Sequence, residues 1–505
     1  MSGKHSQVIR GLMSAKKSPL FQGRFGRMFR SLPSATFGQS ESENEANLKL
    51  LGAAMSASFD PIKDGRDDEE SGIPALYTYF GQFIDHDITF DPASSLQQQN
   101  DPDALVDFRT PALDLDNVYG RGPDDQPYMY ESSKSFFLGT VPLTGGGDAN
   151  AKDLPRNTAN PQRALIGDPR NDENAIVSQL QGLLLRFHNR TVTDNPTLSF
   201  AEVQKLVRFH YQYVVINDFL PRIVHSSVIA DLKHGGHYSK HEIEFFHWKE
   251  DPFMPVEFSV AAYRLGHSMI RPGYRLNDNV LLPIFPVPSQ GLPDGLTGFR
   301  AMNTQWGIDW GRFIDVDTRI YDGSAADNAK RLQFAYRLDT SLVNPLSSLP
   351  ASVASNPSSL AERNLLRGWR LGLPSGQHVA RAMGHHALHD KDILIGKATG
   401  STGDAVPIND PSLNLPSVFK HNCPLWTYIL AEAIQNQENV KIPVTESVTI
   451  KTPRLGPVGG RIVAEVFLGL LFGDPNSLLS LDPQWTPASG PGYALKDFVN
   501  YALGK

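Results

Sequence analysis

Cysteine is almost absent. Cys423 is the one thiol in 505 residues, which excludes an internal disulfide framework, a cysteine-based zinc cluster and an iron–sulfur cluster. Metal chemistry therefore falls to His, Asp, Glu or a bound cofactor. Long apolar runs are missing too: the greasiest stretch, 462–472, contains Glu465 and falls short of the ~20 residues that span a bilayer. No membrane span is expected. The N-terminal MSGKHSQVIRGLMSAKK never reaches the apolar core of a cleavable secretory signal, so the expectation is a cytoplasmic protein or export by a leaderless route. Nor is there an excess of positive charge. The 47 Lys and Arg against 54 Asp and Glu give a net charge of −7, which argues against nucleic acid as a partner. No repeat of fixed period appears, and strand patterns are few, the best being Val444–Ile450, interrupted by Glu446.

Core-forming residues are plentiful, with 40% hydrophobic residues, 27 Phe and 15 Tyr, so the chain should fold. The 37 prolines and 42 glycines are spread throughout, which predicts long coil connections rather than one linker. Loop compositions fall at 91–110, 142–160, 282–300 and 395–415. Lys4, Arg10, Lys16, Lys17, Arg24, Arg27 and Arg30 mark residues 1–40 as a basic arm ahead of one large domain, 41–505. Helical signals dominate. Ser199 and Glu202 form a capping box before Val203, Leu206, Val207, Val214 and Val215, with Pro221 just past the end. Two more helices are predicted over about 172–190 and 360–370. The fold class is mainly α: a large single helical domain with long coil connections and very little β.

Several constellations can carry chemistry. Leu76, Phe80, Phe83 and Ile84 place Gln82, Asp85, His86 and Asp87 on an amphipathic helix after Pro74. Gln82 and His86 share a face, whereas Asp85 and Asp87 lie about 200° apart and cannot serve one partner. A polar helix face with a satisfied histidine is the simpler alternative. In 110–116, Thr110, the Ala112 carbonyl, Asp114 and Asp116 alternate oxygen donors on one side of an extended loop, as a hard cation such as Ca²⁺ requires. An ordinary acidic turn would look the same. Arg170 and Glu173, three apart at a predicted helix start, can face one ligand or form a plain ion pair. His267 stands in an apolar stretch beside Gly266, and Asn364 and Arg367 are three apart on one helix. The histidines at 234, 237, 241 and 247 read as a solvated loop, and His385 and His389 lack the HExxH pattern.

In order and local sequence these elements resemble the animal haem peroxidases over roughly residues 24–480. Phe80–Asp87 is similar to that family's distal helix, Thr110–Gly120 to its calcium loop, and Gly167–Arg170 with Leu184–Arg190 to its catalytic-arginine helix. Tyr263–His267 resembles the proximal segment, and Arg363–Pro374 the helix behind it. Gly456–Val466 resembles a C-terminal segment of bacterial members, and the missing disulfides point the same way.

The resemblance implies a haem b-derived cofactor, with His267 as iron ligand through Nε2 and Asn364 holding its other ring nitrogen. It implies His86 as distal acid/base, Arg170 and Gln82 as stabilisers of developing charge, and Arg264 and Arg367 as propionate partners. Asp85 and Glu173 stand where esters to haem form. Asn174 departs from the methionine that makes a further sulfonium link in some members. Asp87, Thr110, Ala112, Asp114 and Asp116 would hold Ca²⁺, with Asp116 replacing a smaller serine-type ligand. The implied activity is H₂O₂-dependent oxidation of halides or thiocyanate by two electrons, or of phenolic donors one electron at a time, through a ferryl intermediate. The alternatives are a fatty-acid dioxygenase of the same superfamily and a non-catalytic calcium-binding interaction protein. Against the dioxygenase, the position three before the proximal histidine, a tyrosine in that branch, is Arg264 here, and Tyr263 reads as a packing residue.

Overall fold

The computed structural model describes residues 23–89, 106–107, 111–351, 353–354 and 356–505. Helices are laid around a continuous apolar core, and the strands are short, mostly in pairs at the edges. Helix α1 spans Glu41–Ala54, with Ser40 accepting the Glu43 N–H as its cap. Helix α2, Leu76–Ile88, lies near the centre; Leu76, Phe80, Phe83 and Ile84 are buried as the apolar spacing requires.

Helix α3 runs Ala175–Asp194, so it begins later than the sequence suggests. Residues 169–172 form a separate 3₁₀ turn, and the Asn174 side chain caps α3 by accepting from Ile176 N and Val177 N. Arg170 and Glu173 consequently sit ahead of the helix. The capping box of Ser199 and Glu202 starts helix α4, Phe200–Val214. This helix does not stop at Pro221. It passes through a π-helical turn, Val215–Phe219, into a short helix, Leu220–Ile223, whose first turn accommodates Pro221 because no N–H is needed there.

Helix α5 covers Leu360–Arg370 as expected, followed by α6, Leu425–Gln435, and α7, Pro457–Gly473. Helix α7 is buried nearly all round, which explains a sequence with almost no polar face. The expected strand over 444–450 is displaced. Residues Thr449–Pro453 pair antiparallel with Gln437–Lys441, and Val444 and Val448 lie in the connection, where they pack on Tyr321, Leu332, Phe334, Ile442 and Ile450. Their spacing marks a small satellite core.

Part of the basic arm belongs to the fold. Strand Gly23–Gly26 pairs antiparallel with Val106–Asp107 and parallel with Met254–Pro255, and Phe25, Phe29 and Phe37 enter the main core. The buried Glu257 carboxylate accepts the N–H groups of Met28 and Phe29, each at 3.1 Å, while Arg27 donates to the carbonyls of Leu371 at 2.6 Å and Gly372 at 3.0 Å. Residues 23–30 thus strap the far end of α5 to the segment that leads to His267. Lys4, Arg10, Lys16 and Lys17 lie outside the described residues. Among the described residues no helix is long and apolar enough to cross a membrane.

Candidate active site

A cavity of about 430 Å³ opens between α2, the 3₁₀ turn before α3, the segment 256–270 and α5. It collects nine residues singled out from the sequence: Gln82, Asp85 and His86 from α2, Arg170 and Glu173 from the turn, Arg264 and His267 from a second 3₁₀ turn, Ala262–His267, and Asn364 and Arg367 from α5. As their separation of about 200° around α2 requires, Asp85 borders this cavity and Asp87 points away from it, towards Asp114 and Asp116.

His86 is 4% exposed, and its Nδ1 lies 2.8 Å from Asn171 Oδ1. The Asn171 amide nitrogen is already committed to Gln181 Oε1 at 2.8 Å, so the oxygen faces His86 and Nδ1 carries the proton. That points Nε2 at Glu173 Oε1, 3.4 Å away. Glu173 also accepts a close hydrogen bond from Gln82 Nε2, and Gln82 Oε1 accepts from Asn174 Nδ2 at 3.1 Å. Asp85 Oδ1 accepts from Thr89 Oγ1 at 3.1 Å. Arg170 borders the cavity, yet its guanidinium is turned to Asp168, at 2.8 Å, and to the carbonyls of Thr89 and His86, at 2.7 and 2.9 Å. Its charge is therefore fixed against the C-terminal end of α2, where cations are favoured. Asn171 and Gln181 escaped sequence reasoning, although Asn171 lies inside the Gly167–Glu173 stretch.

On the other element, His267 Nδ1 is 2.8 Å from the Asn364 amide. The atom facing Nδ1 is the amide nitrogen, Nδ2; a half-turn of the amide would bring its oxygen there to accept from Nδ1–H, the tautomer that bares Nε2. Burial, assisted by the nearby Arg264, lowers the His267 pKa to about 3, so the ring is neutral at any working pH. Arg264 donates through Nε to the Ser259 carbonyl at 2.8 Å. Tyr263 packs as expected, stacked on Phe258 and edge-on to Phe467, but its hydroxyl also donates to the Gly81 carbonyl at 3.2 Å and borders the cavity.

Behind α2, the carboxylates of Asp87, Asp114 and Asp116 bring one oxygen each within 4.8 Å of one another. Asp87 is 0% exposed, and neither of its oxygens has a well-formed hydrogen bond; the Leu115 N–H and the Tyr211 hydroxyl are its nearest donors. Burial and the neighbouring acids push Asp87 well above the usual carboxylate range and Asp114 up to about 7. Such a group is costly without a cation. Ala112 is buried on the same loop, and Thr110 lies outside the described residues. Arg208 and Gln212 pin the loop through the Asp114 and Leu113 carbonyls, each at 2.7 Å. The histidines at 234, 237, 241, 247, 385 and 389 are exposed.

The sequence model of the animal haem peroxidase family matches residues 94–394, more than half of the chain. The chain belongs to this family. Thyroid peroxidase of Canis lupus familiaris is 25% identical over 337 residues, 62% of this chain and 33% of that protein. Human thyroid peroxidase is 26% identical over 371 residues, 67% of this chain and 36% of that protein. The chain thus spans about a third of the length of these relatives. Among solved structures, Peroxidase A from Dictyostelium discoideum has a TM-score of 0.57 at 15% identity and covers 95% of this chain and 94% of that one. A fatty acid alpha-dioxygenase from Oryza sativa has a TM-score of 0.51 at 14% identity, covering 93% and 81%. Both share the mainly helical fold. The family's cofactor is haem, and the cavity residues fit such a group: a neutral histidine with its second nitrogen held by Asn364, and the cations Arg264 and Arg367 on the wall.

Proposed function

We propose that this member of the animal haem peroxidase family is a hydrogen-peroxide-dependent peroxidase oxidising small donors, halide or thiocyanate by two electrons or phenols by one. The observation that carries the reading is a pair of histidines bordering one cavity, each with an amide partner on Nδ1. Bound haem supplies the iron at which peroxide is reduced and donors are oxidised. His267 would hold it through Nε2, Arg264 and Arg367 would meet its propionates, and Asp85 and Glu173 stand ready to esterify it. His86 Nε2 takes a proton from the near oxygen of H₂O₂ and delivers it to the far one, which leaves as water. Gln82 would stabilise the charge that develops as the O–O bond breaks, and Arg170 would join it by turning from Asp168 and the carbonyls of His86 and Thr89. Asp87, Ala112, Asp114, Asp116 and Thr110 would bind Ca²⁺, joining the ion to the helix that carries His86.

The test is an absorption spectrum and a turnover assay. Purified protein loaded with haem should show a Soret band and oxidise iodide or a phenol with H₂O₂. It should take up no O₂ with linoleate, because Arg264 stands at the position that holds the hydrogen-abstracting tyrosine in the dioxygenase branch. A haem-loaded protein inert to peroxide would refute the reading.

A further inference from the structure

Three tyrosines border the cavity, Tyr77, Tyr79 and Tyr263. They differ in what their hydroxyls meet. Tyr263 donates to a carbonyl and Tyr79 to Tyr274, another neutral phenol. Tyr77 donates to a carboxylate, Asp218 Oδ2, at 2.5 Å. Its ring is fully buried, and the Arg222 guanidinium lies over it at 4.4 Å from the centroid. Arg222 Nε also pairs with Asp218 Oδ1 at 2.7 Å, which fixes the carboxylate's orientation. The Leu495 N–H adds a third hydrogen bond, 2.8 Å from Oδ2.

The backbone that presents Asp218 is itself unusual. Asp218 stands in the π-helical turn Val215–Phe219, and Phe219 of the same turn borders the cavity and packs against Gly81. Single π turns inside helices recur at functional sites. Here the turn places a base behind a phenol of the cavity wall.

We infer that Tyr77 is a second, one-electron oxidation site, a phenol of the cavity wall whose proton is received by Asp218. The inference rests on the peroxidase reading, with hydrogen peroxide as the oxidant. Hydrogen peroxide would take two electrons from the haem-loaded protein, and Tyr77 would give one back: its phenolic O–H bond breaks, an O–H bond forms on Asp218 Oδ2, the side chain becomes a neutral phenoxyl, and the bound cofactor remains short of one electron. A one-electron donor of the phenolic class returns the electron, and Asp218 returns the proton. Burial keeps the phenol protonated far above its ordinary range, so electron and proton must leave together. Without an adjacent base the product would be a cationic phenol in an apolar wall, which Tyr79 and Tyr263 could not relieve.

Freeze-quench electron paramagnetic resonance on the haem-loaded full chain, mixed with H₂O₂ and no donor, tests this. A tyrosyl signal should appear in the wild type, narrow with ring-deuterated tyrosine, and vanish in Tyr77→Phe, which deletes only a hydroxyl. Asp218→Asn should slow its appearance by roughly a hundredfold, the loss expected for a positioned proton acceptor; if that variant misfolds, the wild-type rate in D₂O should fall measurably instead. An undiminished tyrosyl signal in Tyr77→Phe overturns the inference. So does a wild-type sample that consumes peroxide with a normal Soret band yet gives no tyrosyl signal, an outcome that leaves the peroxidase reading standing.

Discussion

The tautomer of His86 is set by one side chain. Asn171 can accept from Nδ1 only because Gln181 occupies its amide nitrogen. Asn171→Leu should therefore leave haem bound but slow the reaction with peroxide by about a hundredfold, the usual loss when a catalytic group is misdirected; stopped-flow rates at the Soret wavelength check it. A different histidine sets acid stability. His188, fully buried, donates from Nε2 to the Lys134 carbonyl at 2.7 Å, and its Nδ1 accepts from the Tyr119 hydroxyl at 3.0 Å. Burial lowers its pKa to about 4 from 6.5. Because the folded value lies below the unfolded one, its contribution is complete above pH 6.5 and is lost as pH falls towards 4, a change of about 3 kcal/mol. Urea midpoints at pH 7 and pH 4.5 should differ accordingly, and His188→Gln should flatten that difference.

At the level of elements, helix α2 carries the cavity residues on one side and Asp87 on the other. On the proposed reading, a cation held by Asp87, Asp114 and Asp116 would be coupled to catalysis through one rigid rod. If the proposed calcium is bound, Asp114→Ala, or prolonged chelation, should remove it, lower the thermal midpoint and reduce peroxide turnover together; a fully active protein free of calcium by elemental analysis would refute that coupling. A cation present at about a hundred times its dissociation constant would contribute about 2.7 kcal/mol to stability. This geometry was legible in the sequence because the helical period fixes which residues share a face. The orientation of Arg170 was not, since it depends on Asp168 and two carbonyls of another element. Nor was the π turn at 215–219: the apolar period runs on through it, and Pro221 read as a stop where it is tolerated in a first turn.

Across the whole molecule, the strap of residues 23–30 joins parts far apart in the chain. Local patterns cannot reveal Arg27 on Gly372, 345 positions away, or Glu257 on Phe29, 228 positions away, so the sequence showed basic residues and suggested a separate arm. Glu257→Gln keeps one acceptor and orphans one buried N–H, which should cost about 1–3 kcal/mol, read by chemical denaturation. The strap also orders events in time. Arg27 leaves the ribosome 345 positions ahead of Gly372, whose carbonyl it must grasp. The wall that contains Phe25 consequently cannot take its final form until Gly372 has emerged, so the nascent chain keeps the cavity open on that side through the making of everything in between.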